Sequence, residues 1–310
     1  MALVTGRAKE VAQVAIDHEK CNLCGLCTQI CSGDPLTIID NKVIVDQSRG
    51  FGCIGCGQCV LVCPNECITV NGRELSMNHV QPLPPRESRS SYELLYNLLL
   101  SRRSIRRFRD KPVDQDMIDK IIEAATTAPM GLPPSDVEIL VFNGKEKVQG
   151  FAEDLVKAFY SSRWLFGRVM RTIMRPLWGK EFVDSAKYFL EPLINGFKSE
   201  RENGTDILFY EAPLVMYFHA SVYADPVDPL VNATYAMIAA ESLGLGSCMI
   251  GTPAPFLKYN KKLKQKYRIG LKNHQGIAII FGFPSVKYQR TIKRTLASVH
   301  YWGSATITPL

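Results

Sequence analysis

Eight of the ten cysteines fall into two copies of one pattern: Cys21, Cys24, Cys27 and Cys31, then Cys53, Cys56, Cys59 and Cys63, each pair offset by 32 residues. Thiolates at i, i+3 and i+6 wrap one 4Fe–4S cubane along a tight loop, and the fourth cysteine of such a run ligates the other cluster. The spacing therefore assigns Cys21, Cys24, Cys27 and Cys63 to one cluster and Cys53, Cys56, Cys59 and Cys31 to a second. The chemistry this supports is electron transfer. Zinc sites draw on four ligands, usually as two separated C-x2-C pairs, and triplets do not match them. A disulfide framework calls for secretion, and the segment MALVTGRAKEVAQVA has no apolar core of a signal peptide. Cys67 lies outside the repeat, since its counterpart at the 32-residue offset is Pro35; it and the lone Cys248 are expected to pack as small apolar residues.

A second group of chemistry-bearing residues is SRRSIRRFR at 101–109, with five arginines directly after an apolar helical stretch. Ile105 and Phe108 alternate into it, and no other basic tract completes a nucleic-acid footprint. A phosphate monoester held by guanidinium forks accounts for the clustering. No paired carboxylates or Ser–His–Asp arrangement has a defensible spacing, so no catalytic side chain is assigned. His79 is expected in solvent. His219 and the tyrosines of YELLYN are expected in the core.

Two resemblances follow from these residues. Residues 10–72 resemble the two-cluster bacterial ferredoxins, with Pro64 after Cys63 completing the family's C-P ending and Ser32 departing from it after Cys31. Residues 92–310 resemble the nitroreductase family, through RRSIRRF, TTAPMG (126–131), AAESLGLGSCMIG (239–251) and FGFPSVKYQRTIKR (281–294). This second resemblance implies FMN at a homodimer interface. Arg102, Arg103 and Ser104 would hold its phosphate and ribityl chain, and Arg106 would sit near its N1/O2 edge. Pro129, Met130, Gly131, Met249, Ile250 and Gly251 would line the ring, and Arg294 would add a phosphate contact. LPPSD (132–136) departs from the family: Leu132, Pro133 and Pro134 offer no side-chain donors, which leaves N5 and O4 to backbone N–H groups such as that of Gly131, or to Ser135. No G-x-G-x-x-G follows a strand, so NAD(P)H would share the flavin face as an optional donor.

The elements that must position these groups are short. VEILVF (137–142), PLVMYF (213–218) and GIAIIFGF (276–283) read as core strands. Helical patterns cover about 92–100, 114–127, 151–178 and 229–243. The expected fold class is α+β: a ferredoxin-like domain over 1–75, a proline-bearing linker over 76–91, and a nitroreductase-like α/β layered domain over 92–310, with a central mixed sheet flanked by helices. Charge divides with them. Residues 1–80 carry six Lys/Arg against eight Asp/Glu, and the remainder carries 31 against 22.

Residues 160–205 form a variable insert. Trp164, Phe166, Val169, Met170, Ile173, Met174, Leu177 and Trp178 make an apolar stripe, Arg163, Arg168, Arg171 and Arg175 occupy the other side, and no acid falls between 161 and 180. The resemblance makes this a lid over the flavin that reaches across the dimer; docking of 160–180 on a membrane surface or on an electron-donor protein is the alternative. No apolar run is long enough to span a bilayer, and the chain is expected in the cytoplasm. The expected activity passes electrons from the clusters to FMN and on to a small organic acceptor, a nitro compound, quinone or activated C=C. The alternative is an electron-transfer module docked on a larger redox complex, without a small substrate of its own.

Overall fold

The computed structural model describes residues 8–302 and 307–308. The N-terminal part is built on a two-fold repeat. Strand β1 (Gln13–Ile16) pairs antiparallel with β4 (Ile68–Asn71), and β2 (Leu36–Ile39) with β3 (Lys42–Val45). Two five-residue helices, α1 (Leu26–Ile30) and α2 (Gln58–Val62), pack on each other. Each starts from a left-handed glycine, Gly25 or Gly57 with φ 75° or 73°, a conformation that costs a Cβ-bearing residue but not glycine. Each ends on a cysteine, Cys31 or Cys63, with extended backbone. The third cysteine of each run thus lies within its short helix, and the fourth directly follows it. The small core includes Ala12, Leu36, Val43, Val60, Ile68 and Val70 together with Cys27, Cys53, Cys59 and Cys67.

Two 3-10 turns, Met77–His79 and Arg86–Ser88, interrupt an otherwise irregular connection to α3 (Tyr92–Ser101). Ser91 caps α3 by accepting from the Leu94 N–H at 3.3 Å. Tyr92 and Tyr96, expected in the core, are instead exposed and stack on each other at 5.6 Å between ring centroids; Leu94, Leu95 and Leu99 are exposed beside them. Helix α3 packs on α8, where Leu98 and Leu100 are half-buried, but it buries no residue fully within the single chain.

The main sheet has the order β5 (Val137–Asn143), β6 (Leu214–Ala220), β8 (Ile277–Gly282), β7 (Gly246–Ile250), with every neighbouring pair antiparallel. The mixed character expected of this sheet resides in one parallel bridge, Ser104 to Ser247. Period-two alternation along β6 feeds two cores. Val215 and Tyr217 face α5 (Lys145–Ser161), α7 (Glu191–Glu202) and α9 (Pro253–Tyr259). Leu214, Met216 and Phe218 face α4 (Gln115–Thr126) and α8 (Asp228–Ser242). Helix α10 (Lys261–Lys266) follows α9, and a two-residue strand, β9 (Val299–His300), pairs with β10 (Ile307–Thr308). Burying both faces of a sheet under helices gives the three-layer α+β arrangement.

The helix expected over 151–178 is broken. Helix α5 ends at Ser161, whose hydroxyl donates to its own helix at Ala158 O, and a 3-10 turn, Arg163–Phe166, leads to Gly167 in extended conformation. Helix α6 (Arg168–Ser185) then starts anew and kinks at Gly179, where φ is 76°. Among the described residues no helix is long and apolar enough to cross a membrane.

Candidate functional site: two thiol-lined cavities and an arginine-bearing strand

The eight repeated cysteines sort into two cavities. Cys21, Cys24, Cys27 and Cys63 line one, and Cys31, Cys53, Cys56 and Cys59 line the other. In each, the fourth cysteine comes from the opposite run, carried there by the extended exit of α1 or α2. Among the described residues no three His, Cys, Asp or Glu side chains are grouped to hold a single metal ion. Four thiols around a glycine-flanked cavity suit a cubane.

Burial dominates the thiol electrostatics. It raises Cys27, Cys31 and Cys53 above their ordinary value. Cys59 is pushed up to about 12, first by burial and then by charge on Cys53, Cys31 and Cys56. Ligating iron must therefore expel protons from these sites, which makes assembly pH-dependent. Cys67, buried as expected, also lies at the first cavity, with its Sγ 3.3 Å from Cys63 Sγ.

Residues 104–109 form an extended segment stitched to the main sheet. Ile105 N–H donates to Ser247 O at 3.0 Å, Arg109 N–H to Phe283 O at 2.8 Å, and Ser285 N–H to Arg107 O at 3.1 Å. Ile105 lies on Gly246 so closely that a Cβ there would meet Ile105 Cγ1 at 2.5 Å. The segment runs beside the edge strand β7, bringing Ser104 against Ser247. Two residues further along β7, Met249 is exposed although its strand neighbours Cys248 and Ile250 are buried. Gly251 follows it in open space. Cys248 is buried, and its thiol points to the Met249 carbonyl at 3.6 Å.

Arg102 caps the end of α3, and Arg103 donates to its carbonyl at 3.0 Å and to Thr291 Oγ1. Thr291 in turn donates to Leu100 O at 2.9 Å. This ties the C-terminal arm across the arginine turn, with Arg294 exposed three residues beyond. Arg106 leaves this group. Its guanidinium lies 5.7 Å from the Tyr210 ring centroid, in a cavity shared with Arg107, Arg109, Lys145 and Glu211 that none of the other expected flavin residues lines.

Pro129, Met130 and Gly131 occupy the loop between α4 and β5, with Met130 exposed. Asn232 fixes the start of this loop by donating to Ala125 O at 2.7 Å. Burial raises the Asp228 carboxyl, while a hydrogen bond from the Gly131 backbone works the other way. The Ser135 hydroxyl accepts from Val137 N–H at 3.2 Å, which uses a lone pair and not its O–H donor. Beyond this loop, Arg73 reaches in from the N-terminal part and donates to Pro133 O at 2.7 Å. Sequence reasoning does not single out Arg73, Thr291 or Asp228. The visible signal for Arg73 is an arginine inside the turn N-G-R-E-L.

Among the described side chains of the insert's apolar stripe, Met170 is half-buried and the rest reach solvent. Trp164, Val169, Ile173 and Leu177 are exposed, the last by 80%. Arg171 instead points inward, with a side chain 12% exposed, and pairs with Glu191 of α7. The side chains of Phe166, Arg168, Met174 and Trp178 lie outside the described residues. His219 is fully buried and hydrogen-bonded to Asn273 through Nδ1 at 3.1 Å, a core residue as expected. His79 is exposed, its Nδ1 accepting from Ser76 N–H at 3.3 Å.

Residues 99–283 match the nitroreductase family, and residues 13–64 match the 4Fe-4S dicluster domain. The chain belongs to the nitroreductase family and carries a ferredoxin-like segment ahead of that domain. It is 31% identical over 153 residues to FMN reductase [NAD(P)H] of Bacillus subtilis, covering 49% of this chain and 52% of that one. It is 33% identical over 109 residues to iodotyrosine deiodinase 1 of Rattus norvegicus, covering 33% and 38%. The chain thus spans about half or less of the length of these curated relatives. A solved nitroreductase with bound FMN from Bacteroides fragilis is 17% identical with a TM-score of 0.46, covering 69% of this chain and 98% of that one.

Proposed function

We propose that this chain is an iron–sulfur flavoprotein oxidoreductase that passes electrons through two 4Fe–4S clusters to FMN and on to a small organic acceptor. The observation that carries this is the coexistence of two four-thiol cavities with an arginine-bearing segment bridged to β7 of a nitroreductase-family sheet. On this reading residues 1–75 deliver electrons, 76–91 connect, and 92–310 hold the flavin. Cys21, Cys24, Cys27 and Cys63 take one cluster and Cys31, Cys53, Cys56 and Cys59 the other. Arg102, Arg103 and Ser104 grip the FMN phosphate end, with Arg294 brought near by Thr291. Met249, Ile250 and Gly251 support the ring, and Pro129 and Met130 border it. FMN is the group named for the Bacillus subtilis relative.

When bound, FMN supplies the hydride or electron-pair chemistry, while the protein orients it, tunes it and excludes competing reactions. The acceptor class is a nitro compound, a quinone or an activated C=C. NAD(P)H or an external electron-transfer protein supplies electrons. The exposed apolar sides of α3 and α6 favour a homodimer, which would bury them. The same exposed α6 face is the observation that favours the second reading, an electron-transfer module docked on a larger redox complex.

The test is anaerobic purification with iron and flavin counts, followed by reoxidation of the reduced protein with a panel of acceptors. About eight irons and one FMN per chain are expected, with rapid reoxidation by at least one small acceptor. Absence of flavin, or a single zinc in either thiol cavity, would overturn the reading. Flavin reoxidised by no small acceptor would favour the docked module.

A further inference from the structure

The turn between β4 and Leu75 holds an arginine where turns of this kind favour small residues. Arg73 and Glu74 both have positive φ, 53° and 61°, and reciprocal Gly72–Leu75 hydrogen bonds of 3.0 and 3.1 Å close the hairpin. Two-residue turns with both central residues in this region prefer Asn, Asp and Gly. The other such turn in this part of the chain, between β2 and β3, follows that rule with Asp40 and Asn41.

Arg73 departs from the rule and is buried, at 2% exposure. Its stem lies against Gly55, where an added Cβ would come 3.1 Å from Arg73 Cβ. Its Nε donates to Ile54 O at 3.0 Å, and its Nη2 donates to Pro133 O at 2.7 Å. Ile54 and Gly55 are the two residues between Cys53 and Cys56. Pro133 belongs to the loop that carries Pro129 and Met130. One guanidinium therefore joins the ligand loop of one thiol set to the loop at the proposed flavin. Its charge also works against burial in holding down the Cys53 thiol.

We propose that Arg73 is a positioning residue that makes the cluster of Cys31, Cys53, Cys56 and Cys59 the immediate electron donor to the flavin, by clamping the Ile54–Gly55 loop to Pro133 and holding a buried positive charge beside that cluster. The inference rests on the iron–sulfur flavoprotein reading and adds an order to it, with the cluster of Cys21, Cys24, Cys27 and Cys63 upstream. In each transfer one electron leaves the reduced 1+ cluster, which returns to 2+, and enters the flavin. Two transfers and one solvent proton complete a two-electron reduction. A low-potential one-electron donor protein resupplies the clusters, and dithionite stands in for it in the test.

Cluster potentials follow net charge and hydrogen bonding around the sulfurs, and reduction adds negative charge. Arg73→Gln is therefore expected to lower the potential of this cluster alone in an EPR-monitored titration. A tenfold loss in its reduction equilibrium corresponds to about 59 mV for a one-electron couple. Cluster-to-flavin transfer after dithionite mixing should slow about tenfold or more, and Arg73→Lys should restore the potential by restoring the charge. An unchanged potential, or equal shifts in both clusters, would overturn the proposal while the cofactor reading stood.

A measurement on the wild-type protein covers the case in which Arg73→Gln does not fold. Rapid-freeze EPR of reduced protein mixed with a quinone should show the Cys31, Cys53, Cys56 and Cys59 cluster reoxidised first, its signal identified by the change that Cys56→Ser causes. Prior reoxidation of the other cluster would overturn the order. Wild-type protein purified anaerobically without FMN, or without either cluster, would remove the cofactor reading and this proposal with it.

Discussion

The Sγ atoms of Cys63 and Cys67 lie 3.3 Å apart, although only Cys63 belongs to the repeat. Burial acts to raise both thiols. At Cys67 it prevails, pushing the thiol up to about 12; at Cys63 hydrogen bonds from Cys67 outweigh it and pull the thiol below its ordinary value. Once a cluster is lost, Cys63 is the better nucleophile of a pre-formed pair. Air oxidation of iron-stripped protein should yield a Cys63–Cys67 disulfide, assigned by fragmentation of unreduced peptides. Cys67→Ala should abolish it while retaining about eight irons after anaerobic purification. Loss of half the iron in that variant would make Cys67 a ligand.

The crossed arrangement of the thiol cavities has its own test. Cys31→Ala should damage the cluster held by Cys53, Cys56 and Cys59 and spare the other, read by EPR and iron count. Loss confined to the cluster of Cys21, Cys24 and Cys27 would reverse the assignment.

Arg103 is held by Thr291 and by the Arg102 carbonyl, so it is oriented before any ligand arrives. Arg103→Ala should release FMN during purification. Thr291→Val should keep the charge but lose the clamp. A single hydrogen bond to a charged group contributes about 1.5–3 kcal/mol, so FMN affinity should fall by roughly ten- to hundredfold. Full flavin occupancy in Arg103→Ala would count against the phosphate assignment.

Gly246 admits Ile105 at a distance no Cβ would tolerate. Gly246→Ala should push the arginine segment off β7, at a cost of roughly 1–3 kcal/mol for overpacking. Both thermal stability and flavin occupancy should drop. Trimming the opposing side chain, in the double variant Gly246→Ala with Ile105→Ala, should recover part of the flavin occupancy by removing the clash. A double variant no better than Gly246→Ala would separate this contact from the cofactor site.

Burial, with the Lys264 charge adding to it, lowers His219 from 6.5 to about 4. The unfolded chain therefore takes up a proton below pH 6.5 that the folded chain refuses until about pH 4. Stability is fully present above that window and falls as pH drops through it, by up to roughly 3 kcal/mol at one pK unit per 1.36 kcal/mol. Urea unfolding followed by tryptophan fluorescence can read this in the domain beyond residue 160, where Trp164, Trp178 and Trp302 all lie. His219→Gln should flatten the slope between pH 4 and 6.5; an unchanged slope would place the titration elsewhere.

The thiol sets are legible in the sequence because cluster ligation is local geometry, written in spacings of three and four residues. The three core strands are legible for a related reason, since continuous apolar runs such as PLVMYF have only the sheet interior to occupy. Strand β7 is not. GSCMI is short and directly follows the turn at Gly244, and its extended form depends on pairing with β8 from Ala278 to Gly282. Nothing beside β7 in the chain announces that distant partner.

The helix expected over 151–178 fails at Ser161–Gly167, where a hydroxyl turned back on the helix and an extended glycine outweigh the apolar period. The exposed Tyr92 and Tyr96 show the limit of periodicity in another way. An apolar face can be read from spacing, but whether its cover lies in the same chain cannot. Arg73 escapes a sequence reading because a turn residue is ordinarily solvated, and only the approach of Ile54 and Pro133 gives it a role.

The clamp on Arg103 has a consequence for the order in which the molecule is completed. Every thiol of the two cavities has left the ribosome once Cys67 emerges, whereas Thr291 follows Arg103 by 188 residues. Domains generally fold N-terminal first during synthesis. Under the proposed cofactor set, iron can enter a nascent chain, while flavin must wait for a finished one.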